Sequence, residues 1–434
     1  MRTDERIEDG GGRYQRFGRE LVSGGTEPGG TTEGPADDDA TATTAGKVAG
    51  VVILGLLIWL AFVNIWMFVF VVGLIVSVFL HETGHFVTAR LTGMKATQFF
   101  LGFGPRLWSF RRGETEYGVR ALPLGAYVRI IGMSNMDEVP AEDEARTYRQ
   151  QSYPRRLLVI SAGSLMHLLI AMVLLFTVFS LRGQIADLPG AEVSAPTPGG
   201  PAAEAGIQSG DVILSIDGRP VDGPEQLGEI VRTFEPSEAV DVGLRRGAEE
   251  LTIPVGLGAN TDEQSPNFGA AFLGVGTGEA TEWREMSIGD AAVSSVTELF
   301  PVAWESTKGI VNVFNPVNII GHLTGESDDL SSRPTTPLGI TQVSGEIGER
   351  EGLIGVLYVL AALNVFVGVF NMFPLLPLDG GHAAVATYER LRERNGRRYF
   401  ADVSRLMPLA MGVIAVLLFL FVSGLYLDVT QPLR

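Results

Sequence analysis

No cysteine occurs among the 434 residues, which excludes disulfides, thiolate metal ligands and a cysteine nucleophile. Any metal has to be held by His, Asp or Glu, and histidine itself is scarce, with five in the chain. Basic charge is in short supply too. The 33 Lys and Arg stand against 50 Asp and Glu, a net charge of −17, which argues against a nucleic-acid partner because such a partner needs basic surface. Charge of either sign is missing altogether from residues 48–80, and the mean hydropathy of the chain is nevertheless only +0.22. That contrast calls for membrane segments combined with acidic, water-exposed parts.

The uncharged run ends in Leu80-His81-Glu82-Thr83-Gly84-His85. On a helix, residues four apart share a face, so His81 and His85 can offer imidazole nitrogens to one ion, with Glu82 about a quarter-turn away. Two neutral imidazoles on a tetrahedral Zn²⁺, with a non-ligand carboxylate beside the bound water, is the pattern of a zinc hydrolase. An ionisable group inside a membrane segment costs at least about 2.5 kcal/mol and is usually functional. The run 48–80 is long for one span and short for two. The motif helix is expected to start near Ile65 or Trp66, leaving 48–63 as an extra short span or an extension, and the side of the N-terminus open.

Residues 1–47, rich in Gly, Thr, Asp and Glu, read as a disordered tail. Arg90, Lys95, Arg106, Arg111, Arg112, Arg146, Arg149, Arg155 and Arg156 place 94–156 on the cytoplasmic side by the positive-inside rule. Within it, Leu107–Arg111, Thr115–Ala121 and Ala126–Ile131 have strand character, with a turn at Arg112-Gly113-Glu114. A second span covers 157–182, and His167 is its one anomalous polar residue, a packing residue or a secondary site residue. Residues 183–285 are water-soluble in character and are expected outside the cytoplasm. Their order of short helix, strand, helix near 224–234 and strands near 240–245 and 250–255 suggests a PDZ (α+β) module, whose strand and helix would flank a groove for a peptide. Residues 286–352 read as amphipathic membrane-surface helices, with His322 as a surface residue.

A third span in 353–388 runs into Asn371-Met-Phe-Pro374-Leu-Leu-Pro377-Leu-Asp379-Gly380-Gly381-His382. Broken backbone at membrane depth is tolerated where it lines a site. Asp379 is the only acid between Glu351 and Glu389 and is the natural third ligand, with His382 as its rival. A basic segment, 389–407, is again cytoplasmic, and 408–434 holds the last span. The expected architecture is thus a polytopic α-helical membrane protein with four core transmembrane helices, a small β-sheet on the cytoplasmic side and one extracytoplasmic PDZ domain.

Together, His-Glu-Thr-Gly-His at 81–85, Leu101-Gly102-Phe-Gly104-Pro105, Arg112–Gly118, Pro123-Leu-Gly125 and Leu378-Asp379-Gly-Gly-His382 resemble the site-2 protease family of zinc intramembrane metalloproteases. The likeness is to the bacterial single-PDZ type that acts on membrane-anchored anti-sigma factors. It implies one Zn²⁺ per chain held by His81, His85 and Asp379, with Glu82 as general base. It further implies that 95–131 is a re-entrant β-loop on the cytoplasmic side, and that this loop, with Gly102, Gly104 and Gly125, and Asn371 hold an extended substrate. The implied partners are a single-span transmembrane protein and membrane lipid, in the inner cell membrane, with the active site near the cytoplasmic face. The PDZ module would bind a peptide tail or act as a size filter. Two departures stand out: Leu376 replaces a proline usual in the family, and His167 occupies the place of an asparagine. From another class, a non-proteolytic PDZ scaffold with a structural zinc would retain the ligands but has no use for Glu82, and a metal transporter would want more intramembrane ligands.

Overall fold

The computed structural model describes residues 44–133, 137–261, 267–325, 332–393 and 398–433, so most of the N-terminal tail expected at 1–47 lies outside the described residues. The chain divides into two compact units, Phe179–Ala291 and the remainder.

In the larger unit, α1 (Thr44–Val63) and α2 (Ile65–Leu91) are separate helices. The break is chemical: Asn64 adopts an extended backbone, and its Oδ1 accepts from the Trp66 and Met67 N–H groups, which a continuing helix would have satisfied otherwise. Residues 48–63 are therefore part of a helix of their own. With α3 (Tyr153–Arg182), α9 (Pro337–Asn371) and α11 (Met407–Thr430), five helices are long and apolar enough to cross a membrane among the described residues. The protein is a multi-pass membrane protein.

The buried face of α2 carries Ser77, His81, His85 and Ala89, four residues apart and so one above the other. Close approach depends on glycine. A Cβ on Gly84 would lie 2.6 Å from the Ala162 carbonyl oxygen of α3, and one on Gly73 would lie 2.5 Å from Leu360 of α9. At the opposite end of α9, Thr336 and Gly339 donate to the buried carboxylate of Asp428 in α11, which satisfies the first backbone groups of the helix. Gly352, at φ 66° and ψ −152°, interrupts α9 part-way.

Between α2 and α3 lie β1 (Ala96–Arg112) and β2 (Thr115–Ile130). Both are long and folded upon one another, so that Phe99 pairs with Val128 and also with Tyr117, and Tyr117 pairs with Phe110 as well. The order across this small sheet is 126–130, 96–101, 115–122, 103–112. Three strands were expected here; the fourth, Ala96–Leu101, escapes sequence reading because it lies between two others and shows no alternation. Met94, Ala96, Ile130, Tyr148, Val159 and Ala383 form the buried cluster that joins this sheet to α2, α3 and α10 (Asp379–Arg392).

The smaller unit begins as α3 ends and contains β3 (Gln184–Pro196), the single turn α4 (Pro201–Glu204), β4 (Val212–Ile216), β5 (Arg219–Pro220), α5 (Pro224–Val231), β6 (Ala239–Arg246), β7 (Glu249–Gly256), β8 (Gly258–Ala259), β9 (Ala271–Phe272) and β10 (Val275–Arg284). Its main sheet has the order β10-β3-β4-β6-β7, with β5 beside β4. Ile213, Ile216, Val242 and Leu244, all but fully buried, form its core with Leu227 of α5. Asp211 is buried and bound by Arg246, whose Nε and Nη2 donate at 2.8 and 2.7 Å.

The chain then returns through α6 (Ile288–Thr297), α7 (Leu299–Val313) and α8 (Pro316–Thr324). Val293, Phe300, Trp304 and Val317 are exposed on these helices. His322 differs from the expectation of a surface residue: it is buried, with Nε2 3.1 Å from Ser332 Oγ, because α8 folds back on the segment that leads into α9.

Candidate metal centre

α2 supplies His81, Glu82 and His85, and the turn after α9 supplies Asp379 as the first residue of α10. Two glycines let that turn close. A Cβ on Gly380 would lie 2.2 Å from the Met372 carbonyl oxygen, and one on Gly381 would lie 2.6 Å from the Leu376 backbone nitrogen. The helix is thereby seated directly under the broken segment, with Asp379 facing α2.

The ligand atoms converge. His81 Nε2 and His85 Nε2 are 3.2 Å apart, and Asp379 Oδ2 lies 3.5 Å from the first and 3.3 Å from the second. His85 Nδ1 is 2.7 Å from the Val159 carbonyl oxygen, which can only accept, so Nδ1 carries a proton and Nε2 is the nitrogen turned toward His81 and Asp379. Asp379 Oδ2 is buried without a hydrogen-bond partner. Three potential ligand atoms held this close suit a cation placed among them. A tetrahedral ion with bonds of about 2.0–2.1 Å places its ligand atoms about 3.3–3.4 Å apart, so the three residues fit such an ion. Among the described residues these three are the group able to hold a metal, and His382, one turn further along α10, is not in it.

Glu82 Oε1 is 4.0 Å from His81 Nε2, beside the cluster and not in it. The Val128 backbone hydrogen-bonds to its carboxylate, which ties Glu82 to the outer run of the sheet. Gly163 of α3 faces the imidazoles so closely that a Cβ there would lie 2.3 Å from His85 Nε2 and 2.6 Å from His81 Nε2. His167, one turn on, has its ring centroid 4.9 Å from that of His81.

Two residues that sequence reading passed over orient His167. Asn364 of α9 donates through Nδ2 to Ser77 Oγ at 3.1 Å and to the Leu360 carbonyl at 2.8 Å. Its Oδ1 therefore faces His167 Nδ1, 2.8 Å away, as an acceptor, and His167 is protonated on Nδ1. Both had a signal: Ser77 lies one turn before His81, and Asn364 is an amide in the middle of an apolar span.

The remaining expected site residues are distributed differently. Gly102 and Gly104, at φ 87° and 78°, and Gly125 shape the sheet: a Cβ on Gly102 would meet the Leu122 carbonyl at 2.7 Å, and one on Gly125 would meet the Phe103 ring at 2.4 Å. Asn371 ends α9, where the chain turns toward Asp379.

A helical membrane unit with three converging metal-ligand atoms and an adjacent carboxylate defines the class of membrane metalloproteases. The chain belongs to peptidase family M50, whose profile matches residues 69–415. It is 30% identical over 398 residues to zinc metalloprotease Rip1 of Mycobacterium tuberculosis strain H37Rv, covering 84% of this chain and 97% of that protein. A putative zinc metalloprotease of Nostoc sp. is 31% identical over 74% of this chain and 85% of its own length. One of Agrobacterium fabrum is 30% identical over 75% and 86%. Among solved structures, the PDZ domain of an SdrC-like protein from Listeria monocytogenes aligns with 21% of this chain and 90% of its own, at 20% identity and a TM-score of 0.19.

Proposed function

We propose that this chain is a zinc-dependent endopeptidase of the site-2 type, which hydrolyses peptide bonds within transmembrane segments of single-span proteins, anti-sigma factors among them, in regulated intramembrane proteolysis. The observation that carries the proposal is the set of three lone-pair atoms 3.2–3.5 Å apart at the end of a membrane helix, with Glu82 alongside. His81, His85 and Asp379 would hold one Zn²⁺, which would supply a Lewis acid for the scissile carbonyl and a water acidified to a pKa towards about 7.

The protein's own groups perform the rest. Glu82 accepts the proton of the attacking water and returns it to the leaving amine. Val159 and the tight packing of Gly163 fix the imidazoles, so no reorganisation is needed during the reaction. The substrate helix unwinds at its cytoplasmic end and adds as a strand beside 126–130, the run whose Val128 backbone already reaches Glu82. Among the described residues that run is paired on one side only, with 96–101. Asn371 steadies the substrate backbone where it meets the turn. The protein sits in the inner cell membrane with this site near the cytoplasmic face. Its PDZ-type unit, outside the cytoplasm, captures a peptide tail or excludes untrimmed substrates.

The test is cleavage of a labelled single-span peptide by the purified full chain, with and without a chelator. Cleavage that survives complete metal removal refutes the reading. Deleting 190–257 then separates the two roles of the PDZ-type unit: lost cleavage of a trimmed substrate supports capture, and gained cleavage of an intact one supports exclusion.

A further inference from the structure

Gly163 and His167 are four residues apart on α3 and so lie on one face of it. Gly163 is the residue whose missing side chain leaves room for both metal-centre imidazoles, and His167, 2% exposed, has its ring centroid 4.9 Å from that of His81. The two ring planes are inclined at 41°, so the contact is not a stack. His167 is outside the group of ligand atoms that lie within 4.8 Å of one another. It therefore stands as Glu82 does, beside the metal-ligand atoms and not among them. An ionisable side chain inside a membrane helix is costly, and packing alone would favour an apolar residue at such a place.

The orientation of the ring is imposed from α9. Asn364 gives its two amide hydrogens to Ser77 Oγ and the Leu360 carbonyl, so its Oδ1 accepts from His167 Nδ1. Ser77 Oγ in turn donates to the Gly73 carbonyl of α2 at 2.9 Å, which completes the chain of bonds. That chain engages Nδ1 and leaves Nε2, with the lone pair of a neutral ring, for a further partner. A carbonyl oxygen on one ring nitrogen that fixes what the other can do is the device by which imidazoles are oriented around metal sites. Glu82 is tied to the sheet through the Val128 backbone, whereas His167 is tied to α9, so two acceptors held by different elements border the ligand atoms.

We propose that His167 Nε2 accepts one hydrogen of the attacking water and thereby turns the other toward Glu82, an assignment that rests on the proteolytic reading above. A water has two hydrogens, and Glu82 takes only one of them in the step given to it. In a site shielded from bulk water the second hydrogen needs an acceptor of its own, because an O–H left without one is penalised. His167 moves no proton in this scheme. It sets which way the water faces, so that the lone pair used in attack and the O–H directed at Glu82 are fixed before the substrate arrives. An asparagine, whose place His167 occupies in the family pattern, would reach only about as far as Nδ1, so this acceptor comes with the histidine.

The test compares His167→Gln with His167→Asn in the full-length protein in detergent. The side-chain amide of Gln reaches about as far as Nε2 and can present an oxygen there, whereas that of Asn reaches about as far as Nδ1 and can keep the bond to Asn364. Turnover of a labelled single-span peptide is expected to be about tenfold higher in His167→Gln than in His167→Asn, the worth of one hydrogen bond, with KM alike. The unfolding temperature is expected in the reverse order, and zinc near one ion per chain in both variants. With Co²⁺ in place of zinc, the visible spectrum of His167→Gln should stay closer to that of the natural sequence. Turnover that follows the unfolding temperature, with His167→Asn the better enzyme, overturns the proposal and leaves the ring as a support for Asn364. Loss of the metal from both variants also overturns it, by making His167 a ligand. The cobalt spectrum needs no substrate, so a natural sequence that hydrolyses no peptide strikes the proteolytic reading alone, while identical cobalt spectra in the two variants strike the role given to His167.

Discussion

His85 Nε2 and Asp379 Oδ2 lie 3.3 Å apart although the whole smaller unit separates them in sequence. Their spacing is that of two ligands to one ion, the arrangement proposed above. Asp379→Asn keeps the shape and removes the negative charge. Metal content of the purified protein is expected to fall well below one ion per chain, with helical content unchanged. Unaltered stoichiometry would move the third ligand elsewhere, His382 first.

Glu82 is adjacent to the metal-ligand atoms but not one of them, so its substitution separates binding from turnover. Glu82→Gln is expected to retain the metal and lower peptide hydrolysis by at least about 10²–10⁴-fold, the worth of a positioned general base. Turnover near that of the natural sequence would take Glu82 out of the mechanism.

Gly163 provides a steric test with an internal control. A methyl group there lies 2.3 Å from one imidazole nitrogen, and the neighbour is a packed helix rather than a flexible chain end. Gly163→Ala is expected to cost about 1–3 kcal/mol and to weaken metal binding. Gly55→Ala and Gly412→Ala, helical positions where nothing lies within 4 Å, are expected to leave metal content unchanged and thermal stability equal or higher.

Asn364 joins three groups that have no water to turn to. Asn364→Leu strands the His167 Nδ1 proton and should cost about 1–3 kcal/mol in unfolding temperature measurements. Turnover should fall with it, because the ring beside His81 loses its fixed orientation.

Acid sensitivity of the smaller unit follows from Asp211, whose carboxyl is held below the usual range by its hydrogen bonds from the Arg246 guanidinium. A lowered carboxyl pKa contributes stability above the unfolded value, near 3.9, and loses it as pH falls through the folded value. Hydrogen exchange across β4 and β6 is expected to quicken as pH drops through the acid range, after correction for intrinsic rates. In Arg246→Met the exchange should be faster at neutral pH and less dependent on acid. An identical profile in both proteins would show that the pair contributes nothing.

Much of the chemistry was legible because it is local. The four-residue spacing of His81 and His85 fixes a shared face whatever the helix packs against, and a side-chain amide at position 64 stops one helix and starts the next through contacts within three residues. The sheet after α2 was only partly legible. Its runs are distinguished by which neighbours they pair with, and the Ala96–Leu101 run, enclosed on both sides, has no exposed face to impose alternation. His322 misled for a related reason, since nothing near it in sequence tells that Ser332 will cover it.

By itself the sequence determined the kinds of atom available for the reaction. Without cysteine the metal had to be met by imidazole and carboxylate, and the uncharged run set those groups within an apolar span. Only the tertiary structure decided which carboxylate met them, how Asn364 and Gly163 held the rings, and that Arg156 and Glu389 would lock the helix carrying Asp379 onto α3. Those outcomes depend on how closely helices approach, which glycine permits and buried hydrogen bonds select, and distances between remote segments leave no periodic trace along a chain.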